Sequence, residues 1–153
     1  MIGAIMLKRA ANDGFAEVNR HDLEALLERY HEDAVFEYPG ATILSGRHVG
    51  IDAIRGFYEL WFELMPKVRF TVEHTAVEDI FALTGTNSGY VEWEVDTFDR
   101  EGKEYHATGV TRFRVEGGKI RHAKDYIFDQ DVVAAAFPPE GADMAESSAR
   151  TAR

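Results

Sequence analysis

Trp61-Phe62-Glu63-Leu64-Met65-Pro66-Lys67-Val68-Arg69-Phe70-Thr71-Val72-Glu73 is the stretch where the chain changes its period. Ahead of it, Ile51, Ile54, Tyr58, Trp61, Phe62 and Met65 recur at helical spacing and form a wide apolar stripe. Pro66 ends that helix, because proline lacks an N–H and clashes with the preceding turn. Beyond it, Val68, Phe70 and Val72 alternate with Arg69, Thr71 and Glu73, the period of a half-buried strand.

Upstream, the chain reads as helical. Leu7, Ala11, Phe15 and Val18 share one helix face. Asp22 is placed to cap a second helix carrying Leu23, Leu26, Leu27 and Tyr30. A short strand over 34–38 stops at Pro39-Gly40, and a loop punctuated by Gly46 and Gly50 leads into the third helix. Downstream, the pattern predicts a returning strand near 80–83, then strands over 90–98, 105–115 and 120–128 joined by tight turns. Helices first and hairpins afterwards make an α+β fold: three helices packed on a curved antiparallel sheet, a cone with a central pocket. One domain is expected over 1–137, and the aperiodic stretch 138–153 reads as a disordered tail.

At 153 residues the chain suits one domain, and 45% hydrophobic residues supply a core. The absence of cysteine excludes disulfides and thiolate chemistry and suits a reducing, cytoplasmic setting. The net charge of −10 and the lack of a basic run argue against nucleic acid and anionic membranes. The apolar opening 1–7 has no basic segment ahead of it and is too short to span a bilayer. No histidine pair has the helical spacing of a zinc motif, so neither a metal nor another cofactor is expected.

Val18-Asn19-Arg20-His21-Asp22-Leu23, Tyr30-His31-Glu32-Asp33-Ala34-Val35-Phe36-Glu37 and Gly50-Ile51-Asp52-Ala53-Ile54-Arg55-Gly56-Phe57-Tyr58 resemble the nuclear transport factor 2-like superfamily. The finish Phe113-Arg114-Val115-Glu116-Gly117-Gly118-Lys119-Ile120 resembles its SnoaL-like branch, and the resemblance covers residues 5–130. It implies the cone fold and a pocket for a small apolar molecule, but no single reaction. Compared with ketosteroid isomerase, Tyr38 stands where the base carboxylate belongs. Compared with limonene-epoxide hydrolase, Asp96 and Asp125 match two aspartates, while Glu94 replaces an arginine. Polyketide cyclases of this branch pair an aspartate with a histidine, for which His106 and His122 are candidates, and these two histidines are placed to meet across the last hairpin.

The strand Tyr90-Val91-Glu92-Trp93-Glu94-Val95-Asp96 has two incompatible readings. Either Glu94 and Asp96 line the pocket, raising one another's pKa, or Val91, Trp93 and Val95 point inward and the acids meet solvent. In the first case the Trp-centred stripe lies outside and a homodimer through the sheet covers it, with Trp93 at the interface. The resemblance then implies Asp125 as general base, Asp96 as acid beside Glu94 and Tyr38 orienting the substrate oxygen; His106 is a candidate proton shuttle because an unperturbed imidazole titrates at about 6.5. Tyr58, Trp61 and Phe62 are expected to line the pocket. Two functions stand open: a cofactor-independent acid–base enzyme, hydrolase, isomerase or cyclase in type, acting on an apolar oxygen-bearing molecule, or a non-catalytic binding or interaction module.

Overall fold

The computed structural model describes residues 2–81 and 85–141. Its elements are α1 (Ile2–Asn19), α2 (Leu23–Glu28), β1 (Tyr30–Tyr38), β2 (Gly46–Val49), α3 (Ile51–Leu64), β3 (Lys67–Val77), β4 (Asn87–Phe98), β5 (Glu104–Glu116), β6 (Lys119–Ile127) and α4 (Gln130–Ala136). The fold is α+β, with the helices covering one face of a curved, open sheet of order β2-β1-β6-β5-β4-β3.

The change of period falls where Pro66 places it: α3 closes on its C-cap Met65, and β3 starts at Lys67. Asp22 caps α2, its carboxylate accepting from the Ala25 N–H at 3.2 Å. Asn19, at the end of α1, clamps the middle of β3. Its amide donates to the Phe70 carbonyl at 3.0 Å, and its side-chain oxygen accepts from the Phe70 N–H at 2.6 Å. This pair of hydrogen bonds mimics a strand partner, so the helix end is fixed on the sheet. A bulge in β3 between Val72 and His74 bends the sheet beneath α1.

Four expectations need correction. The sheet is mixed: β3 to β6 form the antiparallel meander, but β1 runs parallel to β6, because α3 carries the chain from β2 to the far edge of the sheet and the meander back through β3, β4 and β5 brings β6 in beside β1 in the same direction. β1 begins at Tyr30, so this tyrosine belongs to the strand and not to the second helix. Ile80 and Phe81 lie in a turn and not in the returning strand expected near 80–83, β3 pairs directly with β4, and 82–84 lie outside the described residues. Two short elements, β2 and α4, add to the predicted set. The start of the expected tail is ordered by pairing, since Ile43 N–H donates to the Pro138 carbonyl at 2.9 Å and Glu140 N–H to the Ala41 carbonyl at 3.1 Å. Residues 142–153 lie outside the described residues.

The core sits between α3 and the concave side of the sheet. Phe57, Tyr58 and Trp61 project from α3 toward Phe36, Phe70 and Trp93 on the strands. Gly109 on β5 makes room for Trp93: a Cβ there would fall 2.6 Å from the indole and 2.7 Å from the Tyr126 carbonyl. Gly109→Ala is therefore expected to destabilise the fold by about 1–3 kcal/mol, the usual effect of overpacking. Gly56→Ala on the exposed side of α3, where a Cβ meets nothing within 4 Å, should stabilise it by up to about 1 kcal/mol. Urea unfolding of both variants checks the pair.

Candidate functional site

The inward row of β4 is Val91, Trp93, Val95 and Thr97, and the outward row is Tyr90, Glu92, Glu94 and Asp96. Trp93 is 2% exposed. Burying an indole and two valines outweighs burying carboxylates, so the pleat settles with the acids outside. There Asp96 accepts from Arg69 Nη2 at 2.6 Å and from His106 Nδ1 at 2.8 Å. Hydrogen bonding from Arg69, and then from His106, holds its carboxyl below the usual range, the reverse of the expected rise. The same contact with Asp96 pushes the His106 imidazole up. Glu94, exposed on this face between Thr71 and Thr108, does not enter the pocket either. His122 lies opposite Arg114 and bonds Glu37, so the two histidines of the last hairpin do not meet.

Asp125 is different. Its strand β6 turns Ala123, Asp125 and Ile127 toward the helices, and Asp125 lines an apolar cavity of about 430 Å³. Burial pushes its carboxyl up to about 7, and a hydrogen bond from Thr111 opposes the rise. Thr111 Oγ1 donates to Asp125 Oδ1 at 2.5 Å, and the Trp93 indole N–H donates to Thr111 Oγ1 at 2.8 Å. An indole nitrogen only donates, so the threonine hydroxyl accepts from it and turns its own proton to Asp125. Oδ1 is thereby fixed as an acceptor, and Oδ2 is the oxygen free to hold or take a proton.

Three tyrosines surround this carboxylate. Tyr30 and Tyr58 are buried with their hydroxyls 3.2 Å apart, and Tyr38 lines the same cavity. Burial, reinforced by the charge of Asp125, pushes the Tyr30 and Tyr38 phenols well up; it does the same to Tyr58, where Tyr30 adds to the effect. All three therefore remain neutral donors at ordinary pH. Phe36, Phe57, Trp61, Phe70 and Phe137 complete the aromatic wall. Phe62 does not line the cavity: its ring stacks on His21 at 4.2 Å and borders Tyr58 and Trp61 at 5.9 and 5.7 Å. Of the predicted residues, the structure brings Asp125, Tyr38, Tyr58 and Trp61 to one cavity and leaves Asp96, Glu94, His106 and Phe62 outside it. Sequence reasoning missed Thr111 and Tyr30. The signal for Thr111 was its place two residues from Gly109 on the inward row of β5, opposite Asp125.

Fold and site together define a class, the small cone-shaped α+β domains whose helices close an apolar pocket over a sheet. The chain belongs to the SnoaL-like family, whose domain matches residues 11–123. Among solved structures it resembles Bal32a from a soil-derived mobile gene cassette, with a TM-score of 0.72 and 18% identity over 88% of this chain and 98% of that one. A protein from Bacillus subtilis provisionally named an isomerase matches with a TM-score of 0.72 and 23% identity, covering 89% of this chain and 95% of the other. TerC, crystallised with polyporic acid, matches with a TM-score of 0.69 and 18% identity, covering 84% and 95%. No curated protein matches the chain. Among the described residues, no helix is long and apolar enough to cross a membrane.

The raised pKa of Asp125 has a consequence for stability. Below pH 3.8 both folded and unfolded chains carry the proton, and the residue contributes nothing. Between 3.8 and about 7 the unfolded chain releases the proton while the folded chain keeps it, so stability falls as pH rises, and above that window the loss is complete. Asp125→Asn is therefore expected to raise unfolding free energy at pH 8 by on the order of a few kcal/mol and to change it little at pH 4. Denaturant titrations at the two pH values check this.

Proposed function

We propose that the protein is a cofactor-independent acid–base enzyme that moves a proton on a small apolar molecule carrying a carbonyl or similar oxygen. The observation that carries this reading is the Asp125 carboxyl, oriented by Thr111 inside an apolar cavity whose burial pushes it up to about 7. A carboxylate with that pKa is a competent base at pH 7 and returns the proton readily. Ionised Oδ2 takes a proton from a carbon next to the substrate carbonyl. The electron pair moves onto the oxygen, and the Tyr38 phenol, kept neutral by burial, donates to it. Returning the proton to a different carbon gives isomerisation, and attack of the enolate carbon on a second carbonyl gives ring closure. With an epoxide, ionised Oδ2 takes a proton from water, the water oxygen bonds to a ring carbon as that carbon's bond to the epoxide oxygen breaks, and the released oxygen takes a proton from the Tyr38 phenol, to which the proton on Asp125 returns. The surrounding aromatic wall excludes bulk water and strengthens each interaction.

The relatives accord with this class without fixing the reaction. One is provisionally named an isomerase, another from Xanthomonas campestris pv. campestris is provisionally named a polyketide cyclase, and TerC was crystallised with polyporic acid. The alternative is a binding module of the same fold, in which Asp125 and Tyr38 hold a ligand and transform nothing. A chain without cysteine suits a cytoplasmic setting for either.

The outer face of the sheet supports a homodimer, although Trp93, being interior, plays no part in it. Tyr90 and Tyr126 are 44% and 42% exposed there, beside Val110. Glu92 and Glu94 lie on β4, and Arg112 and Lys124 lie on the neighbouring strands. A two-fold axis would set the acidic side of one copy against the basic side of the other.

Asp125→Asn should lower turnover of any ketone, epoxide or polyketide-like substrate by about 10²–10⁴-fold while the ligand still binds. The rate of the parent enzyme should rise with pH to a plateau above about 7. Full turnover in the variant would overturn the role of Asp125, and an apolar ligand bound without turnover would favour the binding module. Asp96→Asn should leave turnover within about 3-fold, since it alters only the pairs with Arg69 and His106 on the outer face of the sheet. For the assembly, light scattering should show a dimer at micromolar concentration that Tyr126→Asp converts to monomer.

A further inference from the structure

The two ends of the cavity differ in exposure. Among its described lining residues, the exposed ones are Met6 and Ala10 on α1, Gly85 and Thr86 ahead of β4, and Gly118 in the β5–β6 turn. They lie together at one end. The Gly118 N–H donates to the Gly85 carbonyl at 3.0 Å, which ties the two turns to each other. Leu7 of α1 packs on Gly89 near the start of β4, where a Cβ would fall 2.6 Å from the leucine side chain. The opposite end is closed by α4: Val133 and Phe137 are 4% and 6% exposed, whereas Met6 is 66% exposed. Tyr38 packs on Phe137 at 6.4 Å, so the acid–base centre stands at the closed end. Just inside the open end, Arg29 lines the cavity and pairs with Glu17 of α1. The Ile120 N–H donates to the Arg29 carbonyl at 2.7 Å. Asp125 lies five residues farther along β6, about 16 Å away at the usual rise of a strand. Between the two, Phe15, Leu26, Phe70 and Phe113 make the lining apolar.

We propose that the ligand enters between the first half of α1 and the turns at Gly85 and Gly118, and that it is an elongated apolar molecule. Its reacting oxygen leads, to Asp125 and Tyr38, and its far end stays at the mouth. A compact molecule at Asp125 would leave the apolar passage behind it open to water. A chain or linear ring system that reaches the mouth covers that passage and gains from each buried carbon. Arg29, Thr86 and Asn87 border the mouth, so a polar group at the far end is accommodated there. The inference deepens the acid–base reading and rests on it for which end of the ligand leads. Ala10, small and exposed on the wall of the mouth, is a specificity-determining residue in this scheme and takes no part in proton transfer.

The test uses straight-chain methyl ketones from 2-heptanone to 2-tridecanone. Affinity, read by calorimetry, should rise about 4-fold per added methylene until the chain emerges at the mouth. Ala10→Phe narrows that mouth from an exposed helix position, and Ala10→Ser is the control that leaves it open. Ala10→Phe should weaken 2-tridecanone about 10-fold and leave 2-heptanone within about 2-fold. It should also slow the association of both ketones, read by stopped-flow tryptophan fluorescence, while Ala10→Ser changes neither quantity. Tyr38→Phe should weaken both ketones alike, because both place their oxygen at the closed end. Failure of every ketone to bind, affinity independent of chain length, equal loss of both ketones in Ala10→Phe, unchanged association in that variant, or no effect of Tyr38→Phe would overturn the proposal. Turnover is followed separately, as exchange of the ketone's α-hydrogens in D₂O. Length-independent affinity with exchange that Asp125→Asn abolishes removes the elongated ligand and leaves the acid–base reading. Length-dependent, Ala10-sensitive affinity with exchange that survives Asp125→Asn supports the passage and removes the acid–base assignment.

Discussion

The hydrogen bond from the Trp93 indole to the Thr111 hydroxyl ties together most of what the molecule is. It requires Trp93 to face inward, which sends Glu92, Glu94 and Asp96 to the opposite face of β4. It also requires space above β5, which Gly109 supplies. By occupying the acceptor side of Thr111 it leaves that hydroxyl one direction in which to donate, toward Asp125. One donor-only nitrogen thus links an inward-facing strand row, a neighbouring hydroxyl and the orientation of a cavity carboxylate.

The two acidic environments show how far local surroundings govern a carboxyl group. Asp96 and Asp125 sit on strands of the same sheet, yet their acidities move in opposite directions. Asp96 has a guanidinium and an imidazole within hydrogen-bond reach and remains partly in water. Asp125 has a hydroxyl and a set of aromatic rings. Desolvation favours the neutral acid where no cation compensates it, and this is the usual way that a carboxylate becomes useful near pH 7.

Much of the architecture was legible because it rests on local rules. Proline stops a helix wherever it falls, so Pro66 divided the chain correctly, and Asp22 capped its helix for a reason internal to four residues. Period two likewise identified β3 to β6. The parallel pairing of β1 with β6 was not legible, because it joins residues 87 to 90 positions apart and depends on how α3 carries the chain to the far edge of the sheet. The seven-residue α4 and the four-residue β2 are too short to show a period. At the site, alternation along β4 grouped the residues correctly but left open which group faces inward. The bulk of Trp93 decided that question against Asp96, Glu94 and His106. Asp125 was found through resemblance, while Thr111 looked like any strand threonine until its partners were seen.

The C-terminal helix makes one end of the cavity less firmly held than the rest. Val132, Val133, Ala136 and Phe137 form one end of the lining, so α4 is a stopper of seven residues. It is held at its start by Asp129, which accepts from the Thr108 N–H and hydroxyl at 2.7 and 2.9 Å, and at its end by the Pro138–Ile43 bond at 2.9 Å. This end of the lining therefore rests on a few hydrogen bonds and one short helix, and it opens locally at less cost than the sheet that forms the rest of the wall.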